Sequence, residues 1–400
     1  MPDQKRPRDP WHEQEANRVD VVIVGAGLAG LYMLYRLRGL GRSARGLEEG
    51  GGVGGTWYWN RYPGARCDVE SVDYSYSFSE ELEQEWSWTE RYATQAEILT
   101  YIEHVAERFD LMRDVALDTR VTAARFDEAT GRWEIVTERG ERVSARFCVM
   151  ATGCLSVPQE PAIAGLERFA GSWYETGRWP HEAVDFSGQR VGVIGTGSSA
   201  IQSIPIIAEQ AVKLTVFQRT PNYSVPARNA PLDPERERWV KANYAELRRR
   251  NRESRVGYVV PVSERPALEV SPEERERAFE ERWERGGLGF GSAFPDLTTR
   301  LEANETAAAF FREKIRGIVR DPATAEALIP KDYPLGTKRI CVDSGYYETY
   351  NRENVTLVDL RAEPIEEITA RGVRTARAAC ARRARSTRWT ASSSPSGSMR

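Results

Sequence analysis

The period of the apolar positions changes several times along the chain. Residues 19–37, VDVVIVGAGLAGLYMLYRL, open as an unbroken β-branched run, turn on glycines and continue with apolar residues at helical spacing. That pattern predicts a buried strand, a tight turn and a helix. Residues 190–210, RVGVIGTGSSAIQSIPIIAEQ, repeat it. Between the two, WEIVTERG (133–140) and RFCVMATG (146–153) predict a small sheet ending in a buried strand. From Pro231 to about Lys331 the chain becomes charged and helix-forming. Ser271-Pro272-Glu273-Glu274 supplies a serine cap, a proline at the first position and a glutamate three residues after the cap, and Gly286-Gly287 ends that helix. The strand pattern resumes at NVTLVDL (354–360). The stretch 169–180, FAGSWYETGRWP, follows neither period and reads as a connection.

These segments predict an α/β fold: two Rossmann-like dinucleotide-binding domains with a helical insertion in the second. The expected divisions are a polar arm (1–18), a first domain (19–160), a second domain (161–230 and 332–373), the insertion (231–331) and a basic tail (374–400). Over Arg371–Arg400 there are eight arginines and no Asp or Glu, with no apolar period, so the tail is expected not to pack.

Composition narrows the classes. The net charge of −3 offers no electrostatic footprint for nucleic acid. Val21 to Tyr35, the longest apolar stretch, carries three glycines and falls short of a bilayer span, and the N-terminal arm has no apolar core of a secretory leader. Five scattered cysteines without a CxxC pair suit a reducing cytosol and argue against disulfides and zinc. With three histidines, a histidine-based metal site or triad is not expected.

Chemistry concentrates at the glycine turns. Gly25-x-Gly27-x-x-Gly30 follows a strand and opens a helix, so its backbone can approach a pyrophosphate, and Glu48 lies where an acid accepts from a ribose 2′-OH. In the second turn, Gly195-Thr196-Gly197-Ser198-x-Ala200, the place of that acid is taken by Arg219 and Thr220, which suits a 2′-phosphate. The two turns therefore indicate FAD at the first and NADP at the second. Gly54, Gly55 and Thr56 can bring backbone against a flavin that Trp57, Tyr58 and Trp59 shield from water. At 151–153, Ala-Thr-Gly lets the chain cross under a cofactor.

Against this background FAGSWYETGRWP resembles the fingerprint of Baeyer–Villiger monooxygenases, F-x-G-x-x-x-H-x-x-x-W-P. The resemblance runs from about Val19 to Val373. RYPGARCD (61–68), FQRTPNYSVPARNAPLD (217–233) and YPLGTKRICVDSGYYETYNRENV (333–355) are most similar to the phenylacetone and steroid monooxygenase branch. It implies that NADPH reduces FAD, that O2 adds to give a flavin C4a-peroxide, and that a ketone (aryl, steroid or cyclic) becomes an ester or lactone. It also implies that Arg339 is the catalytic cation, that Asp68 pairs with it, and that Lys338 joins Arg219 and Thr220 on the 2′-phosphate. A cytoplasmic monomer is the expected state.

Two features depart from the family pattern. Glu175 stands where the fingerprint has histidine, and its charge is expected to oppose NADP positioning. Family members continue well past residue 373, whereas the tail has the composition of a GC-rich gene read out of frame, so a truncation or frame change near 373 is expected. The alternatives are an inactive remnant that binds NADP but holds FAD poorly, and a flavin monooxygenase oxidising nitrogen or sulfur.

Overall fold

The structure, a computed structural model, describes residues 17–155, 157–159, 161–254, 256–376 and the backbone of 390–393. Nearly all of the polar arm, and residues 377–389 and 394–400 of the basic tail, lie outside the described residues. The chain divides into two compact units, Met1–Asn60 with Ala96–Val157 and Arg61–Gln95 with Pro158–Arg400.

The first unit is built on β1 (Arg18–Val24), α1 (Leu28–Gly39), β2 (Ala44–Leu47), α2 (Gln95–Arg108), β3 (Val115–Ala116), β4 (Val121–Asp127), β5 (Arg132–Thr137) and β6 (Arg142–Met150). Its sheet has the order β3-β2-β1-β6-β5-β4, parallel from β3 to β6 and antiparallel beyond. The β-branched run of β1 buries Val22 and Ile23 completely, and α1 contributes Leu31 and Leu34 to the interior. Strand and helix therefore form because both supply apolar faces to one core.

The second unit contains β7 (Trp173–Glu175), β8 (Arg190–Ile194), α3 (Ser198–Gln210), β9 (Lys213–Gln218), β10 (Ser224–Pro226), α4 (Pro234–Glu253), α5 (Pro272–Arg285), α6 (Leu301–Ile318), α7 (Pro322–Leu328), β11 (Cys341–Asp343), β12 (Val355–Asp359), β13 (Ile365–Thr369), β14 (Gly372–Thr375) and β15 (Thr390–Ser393). Its main sheet, β12-β9-β8-β15-β7, is parallel throughout. Val191, Val193, Leu214 and Val216 pack there against Ile201, Ile204 and Ile207 of α3. The helices of 231–331 close over a separate aromatic core, in which Phe290 and Phe311 meet edge-on at 4.6 Å. The Ser271 side chain accepts from the Glu274 amide at the start of α5, and Gly286, at φ +71°, ends it.

Three expectations need correction. Residues 61–95 cluster with the second unit rather than the first. Their partners are distant in sequence: Arg91 N donates to Ala230 O (3.0 Å), Leu232 N to Thr89 O (2.9 Å), and Arg248 pairs with Glu83 at 2.8 Å, both side chains buried. Residues 173–175 form a strand rather than a plain connection, because pairing with β15 supplies the ladder that three residues cannot announce by period. The segment 390–393, expected to stay unpacked, lies between β7 and β8. Backbone ladder bonds make no demand on apolar sequence, so a tail without a hydrophobic pattern can still complete a sheet.

Candidate functional site

In the first unit β1 runs into the glycine turn with Gly25 at φ +103°, where a Cβ would stand 2.6 Å from the Ala151 carbonyl oxygen. The Ala-Thr-Gly segment passes directly against the turn, and Ala151 N donates to Val24 O (2.8 Å). Gly30 also sits too close to Gly25 O for any side chain. Gly55, at φ +54°, abuts Gly27, leaving 3.0 Å between a built Cβ and the Gly27 Cα. Gly27 caps α1 without a side-chain hydrogen bond, and the first turn of α1 has no acidic residue. The N-terminus of α1 thus carries the positive end of the helix dipole with no acidic side chain competing for it, as a pyrophosphate needs. Glu48 is buried, its Oε2 accepting from Ala26 N (2.6 Å) and its Oε1 from Gly50 N (2.9 Å). Each oxygen keeps a lone pair for a ribose hydroxyl. These residues fit the adenosine half of FAD.

Trp57 belongs to the interior, and Tyr58 lies on its own glycine loop, its hydroxyl accepting from Gly51 N (3.1 Å). Thr56 opens the short helix Thr56–Trp59, which Gly55 caps.

In the second unit Gly197 caps α3, again without a side-chain bond or an acid in the first turn. A Cβ at Gly197 would meet nothing within 4 Å, so the approach to these amides is open. Thr196 Oγ1 donates to Thr220 O (3.0 Å), and Asn222 Nδ2 donates to Thr196 O (2.6 Å). Arg219 is exposed at the end of β9. The Lys338 ammonium lies 4.6 Å from the centre of the Tyr333 ring, whose hydroxyl donates to Pro221 O (2.7 Å). Arg219, Thr220 and Lys338 are therefore gathered at one strand end beside the open helix N-terminus, an arrangement that fits a nucleotide carrying a 2′-phosphate.

Asp68 and Arg339, 271 positions apart in the chain, form an ion pair of 2.9 Å within the same unit. Asp68 is 5 % exposed and Arg339 61 %. Gln202, on α3, donates through Nε2 to Asp68 Oδ1 and to Arg66 O (3.2 Å each) and accepts from Tyr62 OH (2.9 Å). Burial pushes the Asp68 carboxyl up to about 6, against the opposing pull of Arg339 and the Gln202 bond. Desolvation prevails because the guanidinium stands mostly in water, where its attraction is screened.

A pH dependence follows from that raised value. The folded chain holds the Asp68 proton more tightly than an unfolded chain does, so this group's contribution to stability is full below about 4 and is lost as pH rises through about 6. The ion pair runs the other way, because only the carboxylate anchors Arg339, and an activity that depends on the pair is expected to fall on the acid side with a midpoint near 6. Asp68→Asn flattens that limb, and its stability relative to the parent protein increases as pH rises through the same window. Paired pH–rate and pH–melting profiles check both signs.

Glu175 is buried, and its register through Ser393 brings it level with Ile194, the residue before the second glycine turn. Trp179 of the same stretch packs on Tyr174 and Phe186, at ring distances of 5.3 and 6.2 Å. Sequence reasoning missed Tyr62, Gln202 and Asn222. Gln202 carried one usable signal, a long amide side chain within a helix segment dominated by Ile201, Ile204, Ile206 and Ile207. Among the described residues no helix is long and apolar enough to cross a membrane, and no cluster of His, Cys, Asp or Glu is arranged to hold a metal ion.

Comparison with known proteins places this geometry in a family. Residues 22–256 match the family described as pyridine nucleotide-disulphide oxidoreductase. A Baeyer–Villiger monooxygenase of Pseudooceanicola batsensis is 46 % identical over 359 residues, covering 89 % of this chain and 65 % of the relative. The chain thus spans about two thirds of the length of the curated relatives it matches. An oxidized steroid monooxygenase bound to NADP superposes with a TM-score of 0.90 at 58 % identity, over 94 % of this chain and 71 % of that one. The complex of OTEMO with FAD and NADP superposes with a TM-score of 0.89 at 41 % identity, over 94 % and 71 %. With two dinucleotide turns on an α/β fold and relatives at this identity, the chain belongs to the Baeyer–Villiger monooxygenase family.

Proposed function

We propose that the chain catalyses the NADPH- and O2-dependent conversion of a ketone to an ester or lactone, with FAD at the glycine turn of the first unit and NADP(H) at that of the second. The observation that carries this reading is the pair Asp68–Arg339, held by Gln202 on the helix that opens the second turn. Bound FAD, once reduced by NADPH, supplies the activation of O2. The amides at the start of α1 hold the FAD pyrophosphate, and Glu48 holds its ribose. Arg219, Thr220 and Lys338 hold the 2′-phosphate and so fix which nucleotide delivers the reducing equivalents. Attack on a carbonyl builds negative charge on oxygen, and a preorganised guanidinium stabilises it without reorganising during the step. Asp68 keeps that guanidinium oriented, and the Tyr62–Gln202 bond keeps Asp68 in place.

The 58 % identity to a steroid monooxygenase supports a bulky ring ketone, steroid or aryl, as substrate. We also place the protein in the cytoplasm as a monomer. Cys67, Cys148, Cys154 and Cys341 are all free thiols, which suits a reducing compartment.

The test is direct. The purified 400-residue chain, loaded with FAD, is expected to elute yellow from gel filtration and to consume NADPH faster when a ring ketone is added. A colourless protein, or NADPH consumption indifferent to every ketone offered, contradicts the proposal.

A further inference from the structure

The backbone that follows β9 is held in an unusual way. The last ladder bond here runs from Leu360 N to Gln218 O (2.8 Å), after which Ala362 and Glu363 turn their amides back to Asp359 O. Four successive carbonyls then accept from side chains. Arg219 O accepts from Arg361 Nε (2.9 Å), Thr220 O from Thr196 Oγ1 (3.0 Å), Pro221 O from Tyr333 OH (2.7 Å) and Asn222 O from Tyr347 OH (3.2 Å). A strand end normally frays once its ladder stops, whereas this one continues as a fixed platform. Arg361 clamps its first residue. The other end of that guanidinium pairs with Asp332 at 2.5 Å through Nη1, next to Tyr333 on the segment that also carries Lys338. Asp332 answers the charge of Arg361, so what Arg361 offers is the directed Nε bond rather than a bare cation.

We propose that Arg361 is a positioning residue for NADP(H) selectivity, acting by fixing the backbone of Arg219 so that the Arg219 side chain meets the 2′-phosphate. The inference rests on the assignment of Arg219 to that phosphate. Loss of the clamp lets the strand end move, and the ordering of Arg219 is then charged against binding of the phosphorylated nucleotide alone. NAD(H), which lacks the phosphate, does not register the change. A planar fork is required for the paired geometry, so lysine is no substitute.

The experiment is calorimetric titration of NADP+ and of NAD+ into the 400-residue chain and its Arg361→Met, Arg361→Lys, Arg219→Ala and Arg219→Ala/Arg361→Met variants. Arg361→Met is expected to weaken NADP+ by about tenfold and leave NAD+ unchanged. Arg361→Lys behaves like Arg361→Met, and the double variant is no weaker than Arg219→Ala alone. Equal weakening of both nucleotides, normal NADP+ binding by Arg361→Lys, or additive losses in the double variant overturn the inference. Selectivity lost in Arg219→Ala but kept in Arg361→Met overturns it alone. Selectivity kept in both overturns it together with the phosphate assignment.

Discussion

Arg339→Ala is expected to lower ester formation by about 10²–10³-fold while NADP(H) still binds, the loss typical of removing one preorganised donor from a developing oxyanion. Arg339 is mostly exposed on its own side and anchored on the other by a buried carboxylate, so its guanidinium is presented outward in one orientation. Removing it takes away the fixed positive charge and leaves Asp68 without a counter-ion. The carboxyl, already pushed up to about 6, then moves higher and is protonated near neutrality. A neutral Asp68 bonded to Gln202 avoids an unpaired buried charge, so the fold survives the substitution. Arg339→Lys retains a charge but not the fork facing Asp68, and falls between the two. Ester yield and NADP+ affinity measured on the same preparations check this, and a variant that keeps most of its ester product removes Arg339 from the chemistry.

The second large effect concerns nucleotide choice. NADP(H) is expected to bind far more tightly than NAD(H), and Arg219→Ala with Lys338→Ala is expected to erase the difference. A hydrogen bond to a charged group contributes about 1.5–3 kcal/mol, so two such contacts separate the nucleotides by at least about 100-fold. The geometry favours a joint action, because Arg219 leaves the end of β9 while Lys338 is steadied over the Tyr333 ring, itself tied to Pro221 two residues further on. Neither cation is buried, so raising salt weakens the preference. Dissociation constants for both nucleotides at low and high salt provide the check. Equal constants in the parent protein contradict the assignment.

How far the sequence carried this account depended on whether a feature had a local signature. The two glycine turns did, because a β-branched run, closely spaced glycines and a helical period are all local, and both are strand–turn–helix in the structure. Glu48 was legible by its position after the next strand, although its grip on the Ala26 and Gly50 amides was not. The Asp68–Arg339 pair had no local signature, and only resemblance to the family linked residues so far apart. Residues 61–95 were assigned to the wrong unit because the bonds that decide the matter, such as Arg91 N to Ala230 O, are invisible to any window along the chain. Arg361 gave no signal at all: a lone arginine after a strand looks like a solvated side chain until the Arg219 carbonyl is found beside it.

This chain is expected to place one oxygen atom of O2 beside a ketone carbonyl at the expense of NADPH. Isotopically heavy O2, NADPH and a steroid or aryl ketone are supplied to the FAD-loaded protein, and the product is read by mass spectrometry. The expected product is an ester or lactone carrying a single heavy oxygen, dependent on NADPH and lost in Arg339→Ala. NADPH consumed with only peroxide released and the ketone returned unchanged would contradict it.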